Sequence, residues 1–398
     1  MTLVERDRRY VWHPYTQQQT APEPLAITRG EGVWLYTQDG RKVLDGISSW
    51  WVNIHGHSHP RLNAALAEQA KQLEQVIFAG CTHEPAVRLA ERLVQLLPSP
   101  LRRVFYSDNG STAVEAAIKM AVQYWLNRGQ SRGRILALKG SYHGDTVGAM
   151  SISADSPFTA AFDSLRFPVE RFSDLDSLAQ RIEGAAAVII EPMLQGAGGM
   201  IVWPAEFVAG VRRLCDQHGV LLIADEVLTG FGRTGKMFAC EHAGVTPDMV
   251  CLSKGVTGGY LPLGVTVATE AIYEAFLSED RSRAFFHGHS YTANPLACAV
   301  ANASLDLFQE ESTLQRVARL ADQLQSGFRR FEAFGTVRGI GGVAAVELHG
   351  SGYLDGIGPR LAAKFLKNGL LLRPLGNVVY FMPPYAITSA EVEWSLGI

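Results

Sequence analysis

The chain is poor in the features that define several protein classes. Only five cysteines occur in 398 residues (Cys81, Cys215, Cys240, Cys251, Cys298); they are odd in number, widely spaced and never in a C-x-x-C arrangement. That excludes a disulfide framework and a cysteine zinc site, and reads as reduced thiols in a cytoplasmic protein. Long apolar runs are missing: Ala185 to Ile190 and Val220 to Ala224 fall far short of the ~20 residues that cross a bilayer. The first nine residues mix both charge signs and lack the apolar core of a secretory signal. No excess of charge exists either, since 36 Lys and Arg stand against 39 Asp and Glu for a net charge of −3. Without a basic field, neither nucleic acid nor an anionic membrane is an expected partner. No G-x-G-x-x-G follows an early strand, which disfavours a dinucleotide fold. What remains is a glycine-generous globular chain, long enough for roughly two or three folding units by the usual ~150 residues each.

From about Trp50 to Leu307 short apolar runs alternate with amphipathic helical patterns, which predicts βαβ units and a mainly parallel sheet. Strands are expected at Arg103–Tyr106, Arg134–Leu138, Ala186–Ile190, Val220–Ala224 and Met249–Leu252. Past about Glu310 the pattern becomes an amphipathic helix (Leu314, Val317, Leu320, Leu324, Phe328), glycine-punctuated strands, a further helix from Pro359 and a last apolar run, Leu370 to Phe381. The first ~45 residues carry a hairpin signal at Gln38–Arg41 but too little apolar content to fold alone. The resulting division is 1–45 as the N-terminal part of a small α+β domain, 46–307 as the large cofactor-binding domain and 308–398 as the C-terminal part of the small domain.

Two strand ends carry the chemistry. Val220–Ala224 leads into Asp225 and Glu226, and Met249–Leu252 leads into Ser253, Lys254 and Gly255, about one crossover unit later. In a parallel sheet both ends open on one crevice, where desolvation lowers an amine's pKa and makes it nucleophilic. That suits a Schiff-base lysine, with the aspartate keeping a pyridinium nitrogen protonated. A plain ion pair beside a strand-end lysine would leave the same pattern. A phosphate cradle is expected at Ser107–Glu115, where Gly110 permits close approach and Thr112 with Glu115 fits a T-x-x-E capping box. In Ser141–Thr146, Tyr142 is placed to stack on a flat ring and Asp145 to orient that tyrosine or contact a substrate amine. His143 is expected to satisfy local backbone groups rather than transfer a proton.

The combination of Ala224–Val227, Gly230–Gly235, Ser253–Gly255 with Gly258 and Gly259, and Ser141–Gly144 resembles the class III aminotransferases, pyridoxal 5′-phosphate (PLP) enzymes of fold type I. The likeness spans nearly the whole chain. It implies an α/β fold, with a mostly parallel seven-stranded sheet in a large domain and a small α+β domain built from both chain ends. It further implies a homodimer with shared active sites. By this resemblance Lys254 bonds to PLP, Asp225 pairs with the ring nitrogen, Tyr142 stacks on one face, Val227 covers the other, and Gly110 and Ser111 hold the phosphate. The loop Phe286–Leu296 matches the one that crosses to the partner's phosphate. There Ser290 stands where threonine is usual, and Gly288 falls on the substrate side.

Within the family, Val11–Thr16, the tryptophan pair in Ser48–Gly56, and Arg373–Pro374 followed by Tyr380–Tyr385 are similar to members that aminate 8-amino-7-oxononanoate in biotin biosynthesis. The donor in that case is S-adenosylmethionine or lysine. A long aliphatic acid needs an apolar slot and a distant cation, and Trp50, Trp51, Tyr15, Tyr380 and Arg373 are assigned to them. For the tryptophans alone, core packing is the alternative. Rival readings are another ω-aminotransferase acting on ornithine, 4-aminobutyrate or a diamine, an aminomutase, or a non-catalytic PLP binder. Ser389 to Ile398 stand where a longer closing helix is usual, so that either the C-terminus is trimmed or the small domain is abbreviated.

Overall fold

The computed structural model describes residues 1–350 and 356–398. Its central sheet has seven strands: β1 (Leu101–Ser107), β2 (Ile135–Leu138), β3 (Glu170–Phe172), β4 (Ala187–Ile190), β5 (Leu221–Asp225), β6 (Met249–Leu252) and β7 (Gly264–Thr269). In space they run β1-β7-β6-β5-β4-β2-β3. All neighbours are parallel except β7, which is antiparallel to both β1 and β6. The central strands β2, β4, β5 and β6 are buried along their whole length, as a sheet covered on both faces requires. Alternation sorts their side chains. Ile135, Ala187, Ile189, Leu221 and Ile223 pack with Ala113, Ala117 and Ala121 of the Gly110–Asn127 helix, while Leu136, Val188, Ile190 and Leu222 pack with Phe207, Val208 and Val211 of the Ala205–His218 helix.

The expected strands are present, with ends shifted by a residue or two. The expected capping box is not formed. Asn109, extended at φ −160°, is the N-cap of the Gly110–Asn127 helix, its side chain accepts from the Thr112 N–H, and Thr112 answers to the Asn109 backbone. Thr112 therefore sits inside the first turn. Glu115 turns elsewhere, accepting from Thr146 Oγ1 and the Gly148 and Ala149 N–H groups, which ties the following helix (Val147–Ile152) to this one.

Both chain ends meet in one small sheet. The hairpin strands Trp34–Thr37 and Lys42–Asp45 turn at Gly40, φ +85°, and Leu370–Leu371 pairs in parallel with Lys42–Asp45. A second antiparallel sheet, Gly335–Ile340, Val343–Leu348 and Val378–Phe381, packs against Val317, Leu320 and Leu324 of the Thr313–Phe328 helix. The last element is the helix Ser389–Leu396. Among the described residues, no helix is long and apolar enough to cross a membrane and no cluster of three or more His, Cys, Asp or Glu side chains is arranged to hold a metal.

One close approach positions the start of the Gly110–Asn127 helix. Gly264, the first residue of β7, lies so near the Asn109 carbonyl and Ser107 Oγ that a Cβ there would overlap both. Gly264→Ala is expected to push the cap off the sheet and cost about 1–3 kcal/mol, the usual penalty of overpacking. Urea denaturation measures it, and an unchanged unfolding midpoint would contradict this packing.

Candidate active site

Adjacent strands deliver the acid and the amine. Asp225 ends β5 opposite Cys251 of β6, and Lys254 follows β6 by two residues with φ 41°, a left-handed backbone uncommon outside glycine. Asp225 is 4% exposed; its Oδ1 accepts the Val227 N–H at 3.0 Å and its Oδ2 lies 2.6 Å from His143 Nδ1. His143 is thus the imidazole partner of Asp225 rather than a ligand of nearby carbonyls. The β5 strand end and the loop after β2 converge there, a contact between residues far apart in the chain. Among the described residues no ion pair joins Asp225 to Lys254; the side-chain partner of Asp225 is His143. Burial lowers the pKa of the Lys254 amine and the positive charge of Arg233 adds to this, against the opposite pull of Asp225 and Glu191. The second carboxylate of the motif diverges: Glu226 accepts from Thr229 Oγ1 and from the Ala239 and Cys240 N–H groups, and so shapes the loop after β5.

A cradle lies beside this pair. The Gly110 and Ser111 N–H groups, in the first turn of a helix, have no helical acceptor and sit at its positive end. Val227 packs against Gly110, where a Cβ would press on its methyl at 2.7 Å. Gly144, φ +127°, lets the Ser141–Gly144 loop rest directly on Ser111. Glu191 anchors the same loop by accepting the Tyr142 N–H at 2.8 Å and the Gly196 N–H at 3.0 Å; burial pushes its carboxyl up to about 7. The Tyr142 phenol is driven up by burial and by Asp145 and stays protonated. Nε2 of His143 is buried without a partner, as is Ser107 Oγ. Free amides at a helix start, a carboxylate that no lysine or arginine pairs with among the described residues and a desolvated amine together fit PLP. They answer in turn its phosphate, its ring nitrogen and its aldehyde.

On the other side of Lys254 the tryptophans form a line. The Lys254 Nζ lies 5.0 Å from the centre of the Trp51 ring, whose indole N–H donates to the Tyr380 hydroxyl at 3.0 Å. Trp51 is 4% exposed and Tyr380 1%, so both also belong to the core. Trp50 points outward, with the Arg373 guanidinium 4.7 Å above its ring and Tyr15 edge-on at 5.6 Å. Asp145 accepts the Tyr15 hydroxyl at 2.5 Å, so it orients Tyr15. Residues 48–51 reach these places through four successive positive φ angles, 50°, 46°, 66° and 76°. No glycine is among them, and each such residue in a left-handed turn costs roughly 1–2 kcal/mol.

Gly288 and Ser290 are not brought to this cluster. Both are exposed, on a loop held to the rest of the chain by Gln75 Nε2 donating to the Ser290 carbonyl at 2.6 Å, by His289 Nδ1 3.5 Å from Asp108 Oδ2 and by Asn294 Nδ2 donating to the Glu74 carbonyl at 2.9 Å. Sequence reasoning also passed over Arg233 and Glu191. Arg233 is 1% exposed, donates to the Pro383 carbonyl and Ser48 Oγ, and lies 4.8 Å from the Tyr385 ring. Among the described residues no carboxylate comes within ion-pair distance of it. An arginine inside a glycine-rich turn was the available signal; for Glu191 it was a carboxylate at the end of β4.

Comparison with known proteins gives a consistent picture. Residues 15–398 match the family model for aminotransferase class-III. The adenosylmethionine-8-amino-7-oxononanoate aminotransferase of Synechococcus elongatus is 49% identical, over 96% of this chain and 96% of that protein, and that of Geobacter sulfurreducens is 43% identical, over 99% and 95%. The crystal structure of the Methanocaldococcus jannaschii enzyme of the same name superposes with a TM-score of 0.96 at 38% identity, covering 99% of this chain and 97% of that one. An omega transaminase from Pseudomonas jessenii in complex with PMP gives 0.93 at 30% identity, covering 100% and 96%. With the acid, the amine and the phosphate cradle arranged at the ends of a fold shared along the whole chain, this protein belongs to the class-III aminotransferases.

Proposed function

We propose that this chain transfers an amino group to 8-amino-7-oxononanoate, forming 7,8-diaminononanoate for biotin biosynthesis, with S-adenosylmethionine as donor. The observation that carries this reading is the line from Lys254 across Trp51 and Trp50 to Arg373. An amine stands at one end, aromatic surface in between and a guanidinium at the other. That matches a keto acid whose carboxylate is a long aliphatic chain away from the reacting carbon. Relatives over 96% or more of this chain carry the same activity in their names.

PLP, once bound, supplies an electron-withdrawing ring that carries the amino group from donor to acceptor. The Asp225 carboxylate, steered by His143 and the Val227 N–H, holds the proton on the ring nitrogen. Lys254 Nζ takes the proton from the donor's amine-bearing carbon and, in the second half-reaction, returns one to the carbon of the acceptor. Gly110 and Ser111 would hold the phosphate, and Tyr142 and Val227 would pack against the ring. Arg373 grips the substrate carboxylate, and Trp50, Trp51 and Tyr15 exclude water from the slot.

The same reading includes a homodimer. Helix Glu84–Leu96 and edge strand β1 border an apolar groove of 690 Å³ lined by Phe78, Val87, Val94, Phe105, Tyr273 and Phe276. A second copy seated there buries this face and carries Ser290 and Gly288 to the neighbouring site, which accounts for their exposure in one chain. Sedimentation of the purified protein is expected to give the dimer mass; a monomer at micromolar concentration would contradict it.

Three further outcomes are expected. Lys254→Ala abolishes turnover, and normal turnover would remove the lysine from its role. Because burial lowers the Lys254 pKa, the amine is free at a lower pH than an ordinary lysine. The rate of covalent capture of added PLP, followed by visible absorbance, should therefore reach its plateau below pH 10.5, and a profile centred on that ordinary value would contradict the site. Arg373→Ala removes charge-assisted bonds and should raise KM for 8-amino-7-oxononanoate by about 10- to 100-fold with a smaller change in kcat. An unchanged KM would detach Arg373 from the substrate. Running the same assay with S-adenosylmethionine and with lysine identifies the donor.

A further inference from the structure

The left-handed run at residues 48–51 needs a restraint, because four L-residues in succession do not hold such a turn by their own preference. It is hydrogen-bonded as one helical turn of reversed hand, with the Trp51 N–H on the Ile47 carbonyl at 2.8 Å and the Val52 N–H on the Ser48 carbonyl at 2.9 Å. Asp45 stands just before it, at the end of the Lys42–Asp45 strand, and is 0% exposed. Its Oδ1 accepts the Ile47 N–H at 3.2 Å, its Oδ2 accepts the Ser49 hydroxyl at 2.7 Å, and the same Oδ2 lies 2.9 Å from His57 Nε2. The far side is fastened to the same carboxylate. Asn53 Nδ2 lies 3.2 Å from His57 Nδ1, so His57 donates from Nε2 to Asp45 and accepts at Nδ1 from Asn53.

We infer that Asp45 is a positioning residue that sets acceptor recognition by clamping residues 48–51 in this left-handed turn. The hand of the turn decides where the two tryptophans go. Trp51 turns inward to the Lys254 amine and Trp50 outward to Arg373 and Tyr15. In a right-handed turn the rotation between consecutive residues reverses, and the two rings cannot keep both sets of partners. Asp45 touches neither of the site's proposed ligands; its hydrogen bonds run to the turn and to His57. Burial alone would favour its neutral form, but the bonds from His57 and Ser49 outweigh it and keep the carboxylate ionised, with all its acceptor positions available.

The inference rests on the keto-acid reading, and the experiment separates the two. Asp45→Asn preserves shape, yet its amide NH2 cannot accept from Ser49 and His57. In the PLP-loaded enzyme it is expected to raise KM for 8-amino-7-oxononanoate by about tenfold or more, in line with the cost of small misplacements, while kcat and the visible absorbance of the lysine-bound cofactor change little. Ser49→Gly in the Asp45→Asn background places a residue without left-handed penalty in the turn, and should recover most of the lost KM. Unchanged KM in Asp45→Asn, or no recovery in the double variant, overturns the positioning role. So does a loss of the cofactor spectrum in both, which makes Asp45 a general prop of the fold. A crystal structure of the Asp45→Asn holoenzyme reads the clamp without any substrate: a lost or reversed turn supports it, and an intact left-handed turn refutes it. If the wild-type enzyme fails to aminate this keto acid, the functional reading falls while the structural arm still decides the clamp.

Discussion

The geometry depends on a buried carboxylate, that of Asp225, with which no lysine or arginine pairs among the described residues. Asp225 lies at the carboxyl edge of β5, held by one backbone N–H and one imidazole, and the lysine on the next strand does not pair with it. A carboxylate removed from water seeks a partner. In this site His143 and Val227 orient it and Lys254 does not pair with it, which suits the roles proposed for the amine and the acid. Parallel pairing enforces the arrangement, because β5 and β6 in register bring Asp225 level with Cys251 and leave Lys254 just beyond the sheet. The strand order and the cofactor chemistry are thus one constraint seen at two scales.

Around that centre the protein uses different physical means on each side. At the proposed phosphate site it relies on backbone: a capped helix start, a glycine at its first position and Gly144 resting on Ser111. Toward the substrate it relies on large side chains, with Trp51 half in the core and half facing the amine. Trp50 is spread beneath a guanidinium, and Arg373 has no carboxylate partner among the described residues. The first surface is rigid because helix and sheet support it. The second hangs on a turn of unusual hand, fastened at one side to Asp45 and His57 and at the other to the Met382 carbonyl and the Tyr380 hydroxyl.

Much of this was legible in the residues. Five of the seven strands of the main sheet were readable because buried strands leave short apolar runs, and the acid and the lysine because they end two of those runs; β3 and β7 were not named from the sequence. The hairpin at Gly40 and the Thr313–Phe328 helix also followed from local pattern. What was missed is non-local. The T-x-x-E spacing was present, but Asn109 competed for the cap and won by its extended backbone. His143 looked like a turn histidine because its partner, Asp225, is distant in sequence. Arg233 and Glu191 gain meaning only when their loops fold onto Lys254. The left-handed turn had no signal at all, since Ser-Ser-Trp-Trp contains no glycine to announce a positive φ. The domain limits and the crossing role of Ser290 remain readings of pattern and family likeness.

The central claim is that Lys254, facing Asp225, is the one amine that bonds to PLP. Borohydride reduction of the PLP-loaded protein, followed by proteolysis and mass spectrometry, tests it most directly. A pyridoxyl label confined to the peptide containing Lys254 is the predicted result. A label on another lysine, with Lys254 unmodified, would contradict the account.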